Sequence, residues 1–165
     1  MNIKKISLFL SFFILIATAA FLFKDNSSTK NSFNVYFVKD EKVLPLKRTV
    51  NPSVNGKISN LNYAVEELLK GPTVKESSKG YLTEIPFATN VLSIKENPES
   101  FIINLSNDFQ SGGGSLSMTL RLEQLIKTAS GTSEGKKVYL FINGKKPEYI
   151  GGEGLIVPSP LNKSK

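Results

Sequence analysis

Six residues in two segments of the sequence have the types and spacing that could support binding chemistry. They are one aspartate and two glycine clusters: Asp108, Gly112, Gly113, Gly114, Gly151 and Gly152. Asp108 follows a strand-like run, and a carboxylate beside loop carbonyls is a donor set that a hard cation prefers. The D-x-D-x-D-G spacing of a calcium loop is absent, and the usual role of such an aspartate is a hydrogen bond to nearby backbone amides. We therefore interpret the six residues as a candidate interaction loop that holds no metal ion.

Glycines before a helix can bind an anion through their backbone N–H groups. Gly112–Gly114 precede a predicted helix, but they are not followed by the Gly-Lys-Ser/Thr of a phosphate-binding loop. A flexible loop that sets the approach of the helix is therefore the favoured interpretation. The run Gly151–Gly154 (GGEG) is typical of a tight turn with positive φ. The sequence predicts no cofactor at either cluster.

The composition lacks most of the groups that enzymes use. There is no histidine and no cysteine among the 165 residues, so the commonest general base, metal ligand and thiolate nucleophile are missing. Ser115 and Ser117 are interpreted as helix-capping residues. The loop carboxylates Glu84, Asp108 and Glu153 are the acids to check, because glycosidase chemistry needs a pair of them. We predict that the protein is not an enzyme.

The N-terminal 23 residues indicate export. Lys4 and Lys5 precede the uncharged run Ile6–Phe23, which as a helix would span about 27 Å of the ~30 Å hydrocarbon core. Lysines before the run favour a cytoplasmic N-terminus, and hence a single-pass membrane protein whose domain is extracytoplasmic. We predict a signal-anchor over residues 1–23. The alternative is a signal peptide cleaved after Ala19, whose product would begin with the apolar sequence AFLF.

The remaining sequence has the size of one domain. Residues 24–33 are polar and rich in Ser and Asn, which predicts a flexible linker. The domain is predicted over residues 34–161, followed by a tail over 162–165. The formal charge is +7, and the lysines are scattered rather than clustered with stacking aromatics. We therefore predict no nucleic-acid partner; the positive charge suits solubility or loose attraction to anionic lipid or cell-wall polymer.

Apolar periodicity places the regular elements. Short runs rich in Val, Ile, Tyr and Phe predict strands over Phe33–Lys39, Val43–Val50, Val91–Lys95, Ser100–Leu105 and Lys137–Ile142. Helices are predicted between a cap at Ser59 or Asn60 and Gly71, and over Ser115–Ser130. Asn143-Gly144 predicts a type I′ turn.

This order predicts an α+β fold. The arrangement is a split β-α-β-β-α-β, in which two helices pack on one face of a mixed or antiparallel sheet, preceded by the transmembrane helix.

Four segments resemble the GerMN domain of sporulation and spore germination. They are ELLKGPT at Glu67–Thr73, LTEIP at Leu82–Pro86, INLSNDF at Ile103–Phe109 with the glycines and Leu-rich helix that follow, and FINGK at Phe141–Lys145. The resemblance covers residues 34–161. It implies an exported, non-enzymatic domain related to the ring-building modules of secretion and sporulation channels, and it implies no catalytic residue.

These observations lead to a functional prediction. We expect a membrane-tethered, non-enzymatic structural or assembly component of the cell envelope that contacts other envelope proteins or itself. The single copy of the domain and the absence of cysteine differ from the two-copy, lipoprotein-like germination protein, which favours a general envelope role. The alternative is a module that binds cell-wall glycan or peptide through the loops at 106–115 and 143–154.

Overall fold

The computed structural model describes residues 31–50 and 59–163. The predicted membrane segment 1–23, most of the linker 24–33 and the end of the tail lie outside the described residues, so the domain boundaries stay predictions. Within the described ranges, no helix combines the length and the apolar character needed to cross a membrane.

The domain begins with a long β-hairpin. Strand β1 (Asn31–Lys39) pairs antiparallel with β2 (Lys42–Val50). Phe33, Val35 and Phe37 are buried, as their alternation along the strand predicts. Pro45 lies in β2, which has β1 as its sole strand neighbour within the described part of the chain, in agreement with the edge position expected of a proline.

Two helices follow the hairpin. Helix α1 (Asn60–Lys70) begins after Ser59, whose hydroxyl accepts a hydrogen bond from Asn62 N, and it buries the predicted stripe of Leu61, Ala64, Val65 and Leu68. The short helix α2 (Val74–Ser77) lies in a segment for which apolar periodicity predicts no regular element. Its capping box between Thr73 and Glu76 supplies two hydrogen bonds at the first turn, which favours helix in a segment without apolar periodicity.

The central sheet has three strands. Strand β3 (Val91–Glu96) pairs antiparallel with β4 (Ser100–Leu105), and β4 pairs parallel with β5 (Lys137–Ile142). The parallel pair needs a crossover, and helix α3 (Ser115–Ser130) provides it. The mixed character of the sheet agrees with the prediction.

Smaller elements complete the domain. A 3-10 helix covers Asn107–Gln110, within a segment predicted as loop. Asn143 and Gly144 both have positive φ, as the type I′ prediction requires. Strands β6 (Tyr149–Ile150) and β7 (Leu155–Ile156) pair with each other, so the GGEG run forms their turn.

The α+β class is confirmed, but the strands do not form the single predicted sheet. The described strands form separate sheets of two, three and two strands. The reason lies at the open side of β1, where α3 replaces a neighbouring strand. Tyr36 N donates to Thr128 Oγ1 at 3.1 Å, and Gln124 Nε2 donates to Tyr36 O at 3.0 Å. A backbone pair between Val38 and Leu82 occupies the same edge further along.

One main hydrophobic core joins these layers. Its largest fully buried side chains come from the first hairpin, both long helices, the central sheet, the 3-10 helix and β6. They include Phe37, Phe101, Phe109, Leu61, Leu68, Ile103, Leu105, Leu125 and Ile150. This core fixes α3 between the hairpin and the loops that follow β4 and β5.

Candidate functional site

The two glycine loops converge on the N-terminal end of α3 and form a cleft of about 290 Å³. The cleft is lined by both loops, the first turns of α3 and the β6–β7 hairpin: Gly113, Gly114, Ser115, Met118, Thr119, Ile150, Gly151, Gly152, Glu153 and Leu155. Four of the six predicted site residues therefore lie together, although they are far apart in sequence. Gly112 and Asp108 do not line the cleft.

Gly113 is needed at its position because the first loop passes close to α3. Its φ is +85°, and a Cβ there would lie 2.6 Å from Ser117 Oγ and 3.1 Å from an Arg121 guanidinium nitrogen. Any larger residue would meet both backbone strain and a steric clash.

Gly151 plays the same part in the second loop. Its φ is +72°, and a Cβ would lie 3.1 Å from Met118 Cε and 3.2 Å from Met118 Cγ. Both loops thus rest on consecutive side chains of α3, Ser117 and Met118, which places their glycine backbones at the walls of the cleft.

Arg121 holds the first loop in place through hydrogen bonds to its backbone carbonyls. The residue is 3% exposed; its guanidinium donates to Phe109 O at 2.8 Å, Ser111 O at 3.0 Å and Gly112 O at 3.2 Å. Its Nε also donates to Glu84 O at 2.8 Å. Burial lowers the pKa of Arg121, and the nearby Glu84 carboxylate opposes that effect. Sequence reasoning missed this residue, although an arginine within the apolar pattern of α3 was a signal that could have found it.

Each of the three loop carboxylates bonds to a different serine. Glu84 Oε2 accepts from Ser117 Oγ at 2.6 Å, and Asp108 Oδ2 accepts from Ser106 Oγ at 2.9 Å. Glu153 lines the cleft and accepts a hydrogen bond from the Ser115 hydroxyl. The capping interpretation of Ser115 and Ser117 is wrong, because the N-cap of α3 is Gly114 and each hydroxyl binds a carboxylate instead.

Asp108 has a local structural role. Its carboxylate bonds to the hydroxyl of Ser106, whereas an aspartate in such a loop is expected to bond to backbone amides. Ser106 links Asp108 to the preceding segment, because the same hydroxyl accepts from Asn90 N at 3.0 Å. Asp108 is therefore part of the turn that leads into the glycine loop. Within the described ranges, no group of three or more Asp, Glu, His or Cys residues could hold a metal ion.

One serine motif of the sequence lies outside the cleft. Gly131-Thr132-Ser133-Glu134-Gly135 matches G-x-S-x-G, but it follows helix α3 and precedes strand β5, the reverse of the strand-turn-helix context of a nucleophile elbow. Ser133 is buried and donates to Ser130 O at 3.2 Å. The motif is a helix-terminating turn.

The outer face of the β6–β7 hairpin carries an apolar pair. Tyr149 and Ile156 are directly opposite each other across the two strands and are 57% and 69% exposed. The other cross-strand pair, Ile150 and Leu155, faces the cleft and the core. The hairpin is therefore apolar on both faces, with one face turned to solvent.

Comparison with family models matches residues 34–148 to Germane, described as sporulation and spore germination. The chain belongs to this family. Membership confirms the resemblance to the GerMN domain, whereas the membrane anchor and the single-domain organisation stay predictions. The domains that this Germane domain resembles are not known enzymes. Comparison with curated proteins gives no match.

Solved structures share the fold of this Germane domain. The tandem GerMN domains of the sporulation protein GerM from Bacillus subtilis match with a TM-score of 0.63 and 19% identity, covering 80% of this chain and 46% of that one. The chain thus spans about half the length of the tandem structure. The first GerMN domain of the same protein matches with a TM-score of 0.61 and 19% identity, covering 82% of this chain and 99% of that one.

Proposed function

We propose that the protein is a membrane-tethered, extracytoplasmic, non-catalytic component of the cell envelope that acts through protein–protein contacts. The observation that carries this proposal is the solvent-facing pair Tyr149 and Ile156 on the β6–β7 hairpin. Membership of a sporulation and spore germination family supports a role in such assemblies.

The geometry of the pair suits a contact surface. A strand residue on the solvent face of a hairpin is usually polar, whereas Tyr149 and Ile156 expose two large apolar side chains side by side. Tyrosine is enriched among residues that dominate binding energy, because it combines a large apolar ring with a hydroxyl. Lys146 and Pro147 border the same surface, which gives the apolar pair a partly charged rim.

The proposed anchor restricts where the partner lies. Residues 24–30 separate the apolar run from the start of β1, and a fully extended segment of that length reaches about 25 Å. An anchored domain would therefore stay near the membrane surface, so its partners would be membrane-associated envelope proteins or another copy of the chain.

The proposal is tested by crosslinking the full-length protein in its own cells, followed by membrane fractionation. We expect the protein in the membrane pellet, with crosslinked species above the monomer that are lost in the double variant Tyr149→Ser, Ile156→Ser. The matched control is Phe87→Ser, because Phe87 is 98% exposed on a turn outside the hairpin. Crosslinks that survive the double variant, or a protein found as a soluble monomer, would overturn the proposal.

A second candidate function rests on the convergence of the two glycine loops. A cleft whose walls are backbone could bind cell-wall glycan or peptide without a catalytic step. Gly152→Val tests this function, because Gly152 lines the cleft and a Cβ there meets no atom within 4 Å. Loss of retention on purified peptidoglycan in this variant, with retention kept in Gly131→Ala outside the cleft, would support it.

A further inference from the structure

We infer that the cleft at the start of α3 receives one lysine-like side chain from a peptide segment of a partner, with the aliphatic stem on the cleft floor and the amine on Glu153. The inference rests on the proposed contact function and adds a second contact point, on the face of the β6–β7 hairpin opposite Tyr149 and Ile156. Three properties of the cleft lead to it: its size, its floor and its charge.

The size of the cleft accommodates a single side chain. Pockets for drug-sized ligands have volumes of about 300–1,000 Å³, and this cleft, at about 290 Å³, lies just below that range. A side chain that projects from an extended peptide can enter while its backbone stays at the rim.

The floor is apolar and adaptable. Met118 and Ile150 are buried at 4% and 1% exposure, and the half-buried Leu155 completes the lining. Methionine fills irregular spaces because its unbranched thioether chain adopts several shapes. Such a floor matches a straight methylene stem, which lysine buries while it keeps its charged end in a polar environment.

The negative charge of the cleft favours a cationic ligand. Among the described residues that line the cleft, Glu153 is the sole one with an ionisable side chain. An anionic ligand would therefore meet a carboxylate at the N-terminus of α3, although glycine loops at helix N-termini often bind anions elsewhere. Glu153 gives the cleft a negative centre in a chain whose formal charge is +7.

The carboxylate of Glu153 is accessible to the amine. The residue is exposed, and its Oε1 has no hydrogen-bond partner among the described residues. A compact ammonium needs one such oxygen.

The methyl group of Met118 can report ligand binding in the cleft by NMR. It contains two methionines, Met118 in the cleft floor and Met1 at the N-terminus. The full-length protein, labelled with 13C at the methionine methyl groups and kept in a neutral detergent, is titrated with the capped tripeptide Ala-Lys-Ala. We expect a saturable shift of the Met118 methyl signal at millimolar peptide, while the Met1 signal stays in place.

Matched peptides and variants separate the contributions. Replacing lysine by norleucine or Nε-acetyl-lysine removes the charge and should weaken binding at least about tenfold, as should Glu153→Gln. Glu148→Gln should bind as the wild type does, because Glu148 is exposed but does not line the cleft.

Several results would overturn the inference. They are an unmoved Met118 signal, equal binding of the norleucine peptide, unchanged affinity in Glu153→Gln, or saturation by a peptidoglycan disaccharide instead of the peptide. These outcomes are distinguishable from failure of the proposed function, because the crosslinks that depend on Tyr149 and Ile156 are scored in a separate experiment.

Discussion

The side chain of Gln124 is hydrogen-bonded to the backbone of Tyr36, with 3.0 Å between Gln124 Nε2 and Tyr36 O. Gln124 Oε1 also accepts from Glu84 N at 2.9 Å. One fully buried amide thus joins helix α3, strand β1 and the segment before β3. It satisfies backbone groups that a further strand would otherwise have to pair.

Replacing this amide should destabilise the domain. Gln124→Leu keeps the volume roughly similar but leaves part-buried backbone groups of Tyr36 and Glu84 without partners. We expect the free energy of unfolding to fall by about 2–4 kcal/mol, measured by urea denaturation. Gln110→Leu is the control, because Gln110 bonds only to Asn107 at the surface. A Gln124 variant as stable as the control would show that the hydrogen bonds from α3 to the open edge of β1 contribute little to the free energy of unfolding.

Arg121 should be required for the shape of the glycine loop. Arg121→Met retains the aliphatic length but removes the donors to Phe109 O, Ser111 O and Gly112 O. We expect a loss of about 2–4 kcal/mol in the free energy of unfolding and faster amide hydrogen exchange over residues 110–114. Lys75→Met, on the exposed face of α2, should change neither quantity. Unchanged exchange in the loop would contradict the role assigned to Arg121.

Alanine substitutions at the neighbouring residues Gly113 and Gly114 can be compared directly. Gly113→Ala places a Cβ 2.6 Å from Ser117 Oγ at a φ of +85°, so we expect a loss of about 1–3 kcal/mol. Gly114→Ala meets no atom within 4 Å and has a φ of −92°, so it should cost less than Gly113→Ala, and its remaining cost is that of alanine at the N-cap of α3. Ser117→Ala in the Gly113→Ala background should recover part of the loss, because it removes the clashing oxygen. A double-mutant cycle from thermal unfolding measures that coupling.

The ion pair between Arg48 and Glu76 should make the stability of the domain depend on pH in the acid range. Arg48 donates to both Glu76 oxygens, at 2.6 Å and 2.8 Å, and this bond lowers the pKa of Glu76 to about 2. The folded pKa is below the unfolded value of about 4.3. The stabilisation is therefore present above pH 5 and is lost as pH falls from about 5 towards 2.

The measurement compares the wild type with Glu76→Gln across that pH range. We expect Glu76→Gln to be less stable by about 1–2 kcal/mol at pH 7, after allowance for partial exposure of the pair. The difference should shrink towards zero near pH 2. Glu66→Gln, at an exposed position of α1, should show no such trend. A difference that is constant with pH would exclude the ion pair as its cause.

Local elements were predictable because their signals are local. The alternation of Phe33, Val35 and Phe37 identifies β1, since successive strand side chains point to opposite faces. The bounds of α3 and the Asn143-Gly144 turn follow from periodicity and from residues that favour positive φ. The Thr73-x-x-Glu76 capping box was visible in the sequence, and α2 was missed because its four residues are too few to show a period.

The candidate site depended on contacts between distant parts of the chain. The sequence by itself determined which residues are glycines, acids and apolar side chains, and it pointed to both loops that build the cleft. Only the tertiary structure decided that Gly113 and Gly151 rest on neighbouring residues of α3, that Arg121 binds the loop from below and that α3 closes the open side of β1. The physical reason is that propensities act over a few residues, whereas these contacts are set by how the shared core packs α3 between the hairpin and the sheet.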